Sequence, residues 1–185
     1  MKKIIIILVF LSHNLLAAEA GRLVLSGQGC GSYKNPGTLP NLSEKSHPAV
    51  VPLYFKLEKT SENRVARKAC NLAWPIKLSK NEKVQISNIQ HDLLFTHQPK
   101  TSVKAQLILF FVGSKQKKNF EAELKAGDSA ESLQKLWNDD SIVLESSCGK
   151  DTIFRANFSA NAAGESAAGL ESEALKLSIK TVSCN

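Results

Sequence analysis

Apolar and polar residues alternate with a period of two in one segment of the chain after another. Leu53, Phe55 and Leu57 alternate with Tyr54, Lys56 and Glu58, and Leu72, Trp74, Ile76 and Leu78 alternate with Asn71, Ala73, Pro75 and Lys77. Phe120, Ala122, Leu124 and Ala126 oppose Glu121, Glu123 and Lys125, and Leu175, Leu177 and Ile179 oppose Lys176, Ser178 and Lys180. Successive strand side chains point to opposite faces, so each segment predicts a half-buried strand. Residues 22–26, 83–89, 90–96, 102–112, 142–146 and 152–159 add further candidates. Many short strands in one domain imply an all-β fold, a two-sheet antiparallel β-sandwich of jelly-roll type.

Two of these strands carry extra information. Residues 102–112 end in Leu107-Ile108-Leu109-Phe110-Phe111-Val112, apolar on both faces, which predicts a position inside a sheet with its second face partly covered. Pro75 has no N–H for a ladder, so its strand is expected at an edge or with an irregularity there. One short helix is expected over residues 129–138. Asp128 and Glu131 have capping-box spacing, and Leu133, Leu136 and Trp137 would share a face, with Trp137 as a core anchor. The longest irregular piece, residues 31–50, contains Pro36, Pro40 and Pro48, and loops of this length often carry function. A turn rich in Ala, Gly and Ser is expected over residues 161–169.

The N-terminus changes the setting. Lys2 and Lys3 precede an apolar run, and Ala18-Glu19-Ala20 offers small residues at the two positions a signal peptidase reads. Residues 1–20 are expected to be a cleaved signal of bacterial type and residues 21–185 a single secreted domain, periplasmic or extracellular. No later stretch approaches the length of a transmembrane helix. The formal charge is +7, or +6 without Lys2, Lys3 and Glu19, a basic balance that favours anionic partners. Nucleic-acid motifs are absent, and the basic clusters at Lys115–Lys118 and Arg64–Lys68 read as solvated turns.

In an oxidising compartment the four cysteines, Cys30, Cys70, Cys148 and Cys184, read as two disulfides with three possible connectivities. The expected pairs are Cys30 with Cys70 and Cys148 with Cys184, each closing within one half of the chain. With the thiols so committed, no cysteine nucleophile remains. No catalytic motif, cofactor motif or metal-ligand spacing is present. His91 and His97 share a face of one strand but lie about 20 Å apart along it, too far to grip one ion. Asp139-Asp140 reads as a turn.

The candidate binding residues are therefore Tyr33, Lys34 and His47 in the long loop, and Arg155 and Asn157 on the polar face of the strand after Cys148. Arg67-Lys68-Ala69-Cys70-Asn71-Leu72 with Pro75-Ile76-Lys77-Leu78, and the stretch from Cys148 to Asn157, resemble the two inner motifs of a family of small secreted four-cysteine proteins catalogued only as a domain of unknown function. Gly29-Cys30-Gly31 and Cys184 match that family's outer cysteines, and residues 89–93 depart from it. The resemblance implies secretion and a β-rich fold and brings no activity. The expected function is non-catalytic binding of an anionic surface polymer, glycan or protein partner. The alternative is a hydrolase or enzyme inhibitor built on Asp151, Arg155 and Asn157.

Overall fold

In the computed structural model, residues 18–31, 42, 45–128, 132–141 and 144–184 are described, and the architecture is stated for these. Strands β1 (Glu19–Ala20), β2 (Val24–Ser26), β5 (Val65–Lys77), β7 (Thr101–Phe111), β8 (Lys117–Leu124) and β11 (Thr152–Gly164) form one antiparallel sheet, sheet A. Strands β3 (His47–Val51), β4 (Phe55–Lys59), β6 (Glu82–His97), β9 (Ser132–Asp139), β10 (Leu144–Glu145), β12 (Ala168–Ser172) and β13 (Leu175–Ser183) form the other, sheet B. In sheet A, β5 lies between β1 with β2 and β11, and β7 and β8 follow on the far side. In sheet B, β6 has β12 and β13 end to end on one side and β9 and β10 end to end on the other. Gln90, for example, pairs with Lys176 of β13 and with Asn138 of β9. β3 and β4 then close the outer edge against β13 and β12. The chain crosses between the sheets at seven of the twelve connections between these strands, and the two antiparallel sheets pack as the expected β-sandwich.

The two inner faces fill the space between the sheets. Leu72, Trp74, Ile76, Leu107, Leu109, Phe111, Phe154 and Phe158 from sheet A meet Val84, Ile86, Leu93, Phe95, Leu170, Leu175 and Ile179 from sheet B, all buried. The alternating segments are the strands the pattern predicts, with one change of phase. β6 is one strand rather than two, and at Asn88 (φ 49°) it carries an extra residue that shifts its register against β13. Val84 and Ile86 are buried before the bulge, and Ile89, His91, Leu93, Phe95 and His97 after it. A bulge changes which parity faces the core, so β6 reads in the sequence as two strands.

The expected helix over 129–138 is not formed in its described part. Residues 132–139 are β9, paired along β6 from Thr96 to Ile89. Asp128 does not cap a helix; its carboxylate accepts the Lys125 N–H (2.8 Å) and closes a turn. Leu133 and Leu136 are exposed and Trp137 is buried; strand geometry puts Leu136 on the face opposite Trp137. The expected turn at 161–169 is also shorter, since β11 continues to Gly164 and β12 begins at Ala168. The expected loop 31–50 ends in a strand, with Pro48 on an edge where its missing donor does no harm. Pro75 pairs with Ile153, and its carbonyl accepts the Gly21 N–H (2.8 Å). Its missing donor therefore faces residues 21–23, the gap between β1 and β2.

Both disulfides join the expected pairs, Cys30 with Cys70 and Cys148 with Cys184. At the second bridge, Gly149 takes a left-handed φ of 62° and donates to the Glu82 carbonyl (2.8 Å), and a Cβ there would collide with the Lys80 carbonyl. Cys184 N–H donates to the Asn81 carbonyl (2.8 Å), so Cys184 and the neighbour of Cys148 hold the end of the turn between β5 and β6. Glu19 and Ala20, ahead of the expected signal cleavage, pair with Lys77 and Ile76.

One core residue links the fold to pH. His91 is fully buried, with the Trp137 ring stacked at 6.0 Å and the Phe158 ring edge-on at 5.4 Å. Neither ring nitrogen has a well-formed hydrogen bond, and the Ala174 carbonyl offsets burial only in part, so burial pushes the imidazole pKa down to about 4. The folded state thus binds fewer protons than the unfolded state between these values. Stability is full above the ordinary value of 6.5 and is lost as pH falls through that value toward about 4. The complete loss is roughly 3 kcal/mol. The denaturation midpoint should fall between pH 7 and pH 4, and His91→Leu should flatten this acid limb. An unchanged limb in the variant would contradict the assignment.

Candidate functional site

Strand parity that buries Phe154, Ala156, Phe158 and Ala160 turns Arg155, Asn157, Ser159 and Asn161 outward from the middle of sheet A. Register then fixes their neighbours. Arg67, Asn161 and Lys104 share one row across β5, β11 and β7, and Ala69, Ser159 and Gln106 share the next. Asn71, Asn157 and Ile108 form the third row, and Ala73, Arg155 and Phe110 the fourth.

The first two rows enclose a trough of about 530 Å³. Ala69 and Ser159 are short, so the floor is low, while Arg67 and Lys104 rise at one end and Gly27 and Gln28 line the β5 side. That wall is fixed covalently and by the backbone. Cys30 is bonded to Cys70, and the Gly29 N–H donates to the Ala69 carbonyl (3.0 Å). Gly27 has a φ of 123°, where a side chain is strained and would also collide with the Ala69 carbonyl.

The trough's polar groups are partly engaged with one another. Arg67 Nε donates to Asn161 Oδ1 (3.3 Å), and Gln106 Nε2 donates to Glu121 Oε1 (2.9 Å). Glu121 also accepts from Asn119 Nδ2 (2.9 Å) and pairs with Lys104 Nζ (3.5 Å). These donors, Asn119 first and then the Lys104 charge, hold its carboxyl below the usual range. The next rows differ. Among the described residues, the side chains of Asn71, Asn157 and Arg155 have no hydrogen-bond or ion-pair partner, although all three are half-buried. Polar groups in such positions are normally paired or solvated, so this strip can exchange water for a ligand's hydroxyls and charges.

A second depression of about 730 Å³ lies at the other face, along β4, β12 and β6, lined by Glu58, Leu94, Thr96, Gly169 and Glu171 among others. Its two carboxylates share one cation beside it, with Lys56 Nζ 2.8 Å from Glu58 and 3.1 Å from Glu171, and its Lys59 donates to the Ser166 carbonyl (2.7 Å). The hydrogen bonds and charges of those two carboxylates raise the Lys56 pKa, and Lys56 in turn lowers that of Glu58.

The expected binding residues are therefore divided. Arg155 and Asn157 share the outer face of sheet A, whereas His47 sits on β3 in the opposite sheet, opposite Ile179. Tyr33 and Lys34 lie outside the described residues. Asp151 does not join Arg155 and Asn157; its carboxylate accepts the Leu78 N–H (3.0 Å) at the strand's end. Asp139 accepts from the Ser141 N–H (3.1 Å) and hydroxyl (2.7 Å), closing a turn, and pairs with Lys118 (3.1 Å). Among the described residues no three His, Cys, Asp or Glu side chains converge as a metal cluster, and no helix is long and apolar enough to cross a membrane. Arg67, Lys104, Gln106, Ser159 and Asn161 escape the sequence reading, because three separate strands supply them. The only signal for them is their outward parity.

No family model matches the chain, and no curated protein does. Among solved structures, the carbohydrate-binding module TmCBM61 in complex with β-1,4-galactotriose is similar over 87% of this chain and 88% of its own, with 8% identity and a TM-score of 0.28. The family 11 carbohydrate-binding module from Clostridium thermocellum, in complex with a β-1,3-1,4-mixed-linked tetrasaccharide, is similar over 90% of this chain and 91% of its own, with 9% identity and a TM-score of 0.23. The infectious bursal disease virus VP2 subviral particle matches 74% of this chain and 40% of its own, with 8% identity and a TM-score of 0.16. At such identities no ligand is carried over from those proteins to this chain.

Proposed function

We propose that this is a secreted binding protein that holds an extended polysaccharide across the outer face of sheet A, along β11. The observation that carries this reading is the continuous strip from the trough to the unpartnered Asn71 and Asn157 amides, over a floor of small residues. From Ile153 to Asn161 the outward positions span about 27 Å at the rise of a strand, room for several sugar rings. Both tryptophans are buried in the core, so recognition depends on hydrogen bonds and charge rather than on a stacked indole. Affinity should therefore be modest and should fall as salt rises.

The test is retardation of the full chain in gels carrying polygalacturonate, hyaluronate or a neutral glucan at low ionic strength. At least one polymer should retard the wild type. The combined variant Arg67→Ala, Lys104→Ala, Gln106→Ala should bind about tenfold more weakly, a change of about 1.4 kcal/mol. No retardation by any of the polymers, or an unchanged combined variant, would contradict the proposal.

A further inference from the structure

We infer that Arg155 is the subsite for a carboxylate-bearing sugar, a uronate ring, within the polymer. The assignment rests on the binding face proposed above and adds which chemistry that face selects. Arg155 lies on the central strand of sheet A, half-buried, with Phe110 and Ala73 beside it across the ladder and Ile153 and Asn157 beside it along the strand. Several surface cations have carboxylates of their own: Lys104 pairs with Glu121, Lys118 with Asp139 and Lys83 with Glu145. Arg155 has none among the described residues. Glu121 is two rows away and already accepts from Gln106 and Asn119.

The surroundings match one kind of ligand. A guanidinium is a rigid fork that meets a carboxylate with two parallel hydrogen bonds. Half-buried Phe110 offers an apolar surface to the C–H face of a ring, and the Asn157 and Asn71 amides stand in the adjoining row to meet hydroxyls. A uronate sugar presents all three groups at once. An acidic peptide fits less well, because β11 is paired with β5 on one side and β7 on the other and offers no free edge for an added strand.

The experiment measures binding of the full chain to hexagalacturonate, to its carboxyl-reduced neutral counterpart, to a sulfated neutral hexasaccharide and to polyglutamate. Wild type should bind the uronate at least tenfold tighter than the other three. Arg155→Gln should remove that preference while leaving the thermal midpoint unchanged, and Arg155→Lys should restore only part of it. Retained preference in Arg155→Gln overturns the assignment, as does equal wild-type binding of the sulfated sugar or polyglutamate. If wild type holds acidic and neutral oligomers equally and the trough variant loses both, the binding face stands and the Arg155 subsite falls. If wild type binds no oligosaccharide, both fall.

Discussion

Truncating Phe158 to alanine is expected to cost about 3–5 kcal/mol of stability, the usual range for a buried aromatic that leaves a cavity behind. Phe158 is fully buried at the middle of β11, with the Phe55 ring 4.5 Å away edge-on, His91 at 5.4 Å and Trp137 at 6.0 Å. It is the point where β11 of sheet A touches β4, β6 and β9 of sheet B. The same strand carries Asn157 and Ser159 on its outer face, so the core contact also sets the height of the binding strip. A domain has only about 5–15 kcal/mol of net stability, so the variant should be near the limit of folding at 37 °C. The check is the denaturant midpoint, with an unchanged slope showing that the unfolding reaction is the same. A cost below about 1 kcal/mol would contradict the packing described.

The second large effect concerns the two bridges, which should differ in function though not in stability. Cys148 and Cys184 are 36 residues apart and Cys30 and Cys70 are 40 apart, so loop entropy assigns each roughly 4 kcal/mol. Replacing Cys148 and Cys184 by serine frees the turn between β5 and β6 and the end of β13, away from the trough. That double variant should melt at a lower temperature and bind polymer as wild type does wherever it is folded. Replacing Cys30 and Cys70 should cost a similar amount and also weaken binding, because that bridge fixes the wall formed by Gly27 and Gln28. Equal binding by the two double variants would show that the wall takes no part.

What the sequence discloses follows from how far apart the relevant residues lie. Alternation is a property of one strand, so the strands and the shared face of Arg155 and Asn157 are legible without a structure. The segment 132–139 is not, because Leu133, Leu136 and Trp137 satisfy a helical period while their pairing along β6 is a tertiary event. The change of parity at Asn88 is hidden for a related reason. A one-residue bulge leaves no mark in composition, and only the partner strand shows where the register shifts. The trough depends on the register of β5 against β11 and of β11 against β7. Neither Ala69 nor Ser159 has any chemistry to mark it, since their contribution is to be small.

The central claim is that ligand lies on the outer face of sheet A rather than in the larger depression of sheet B. Chemical-shift mapping of the full chain with hexagalacturonate tests it most directly. The account predicts shifts concentrated at Ala69, Asn71, Gln106, Arg155, Asn157 and Ser159, with Leu94, Thr96, Gly169 and Glu171 unmoved. Shifts confined to those four residues of sheet B, with sheet A silent, would contradict it.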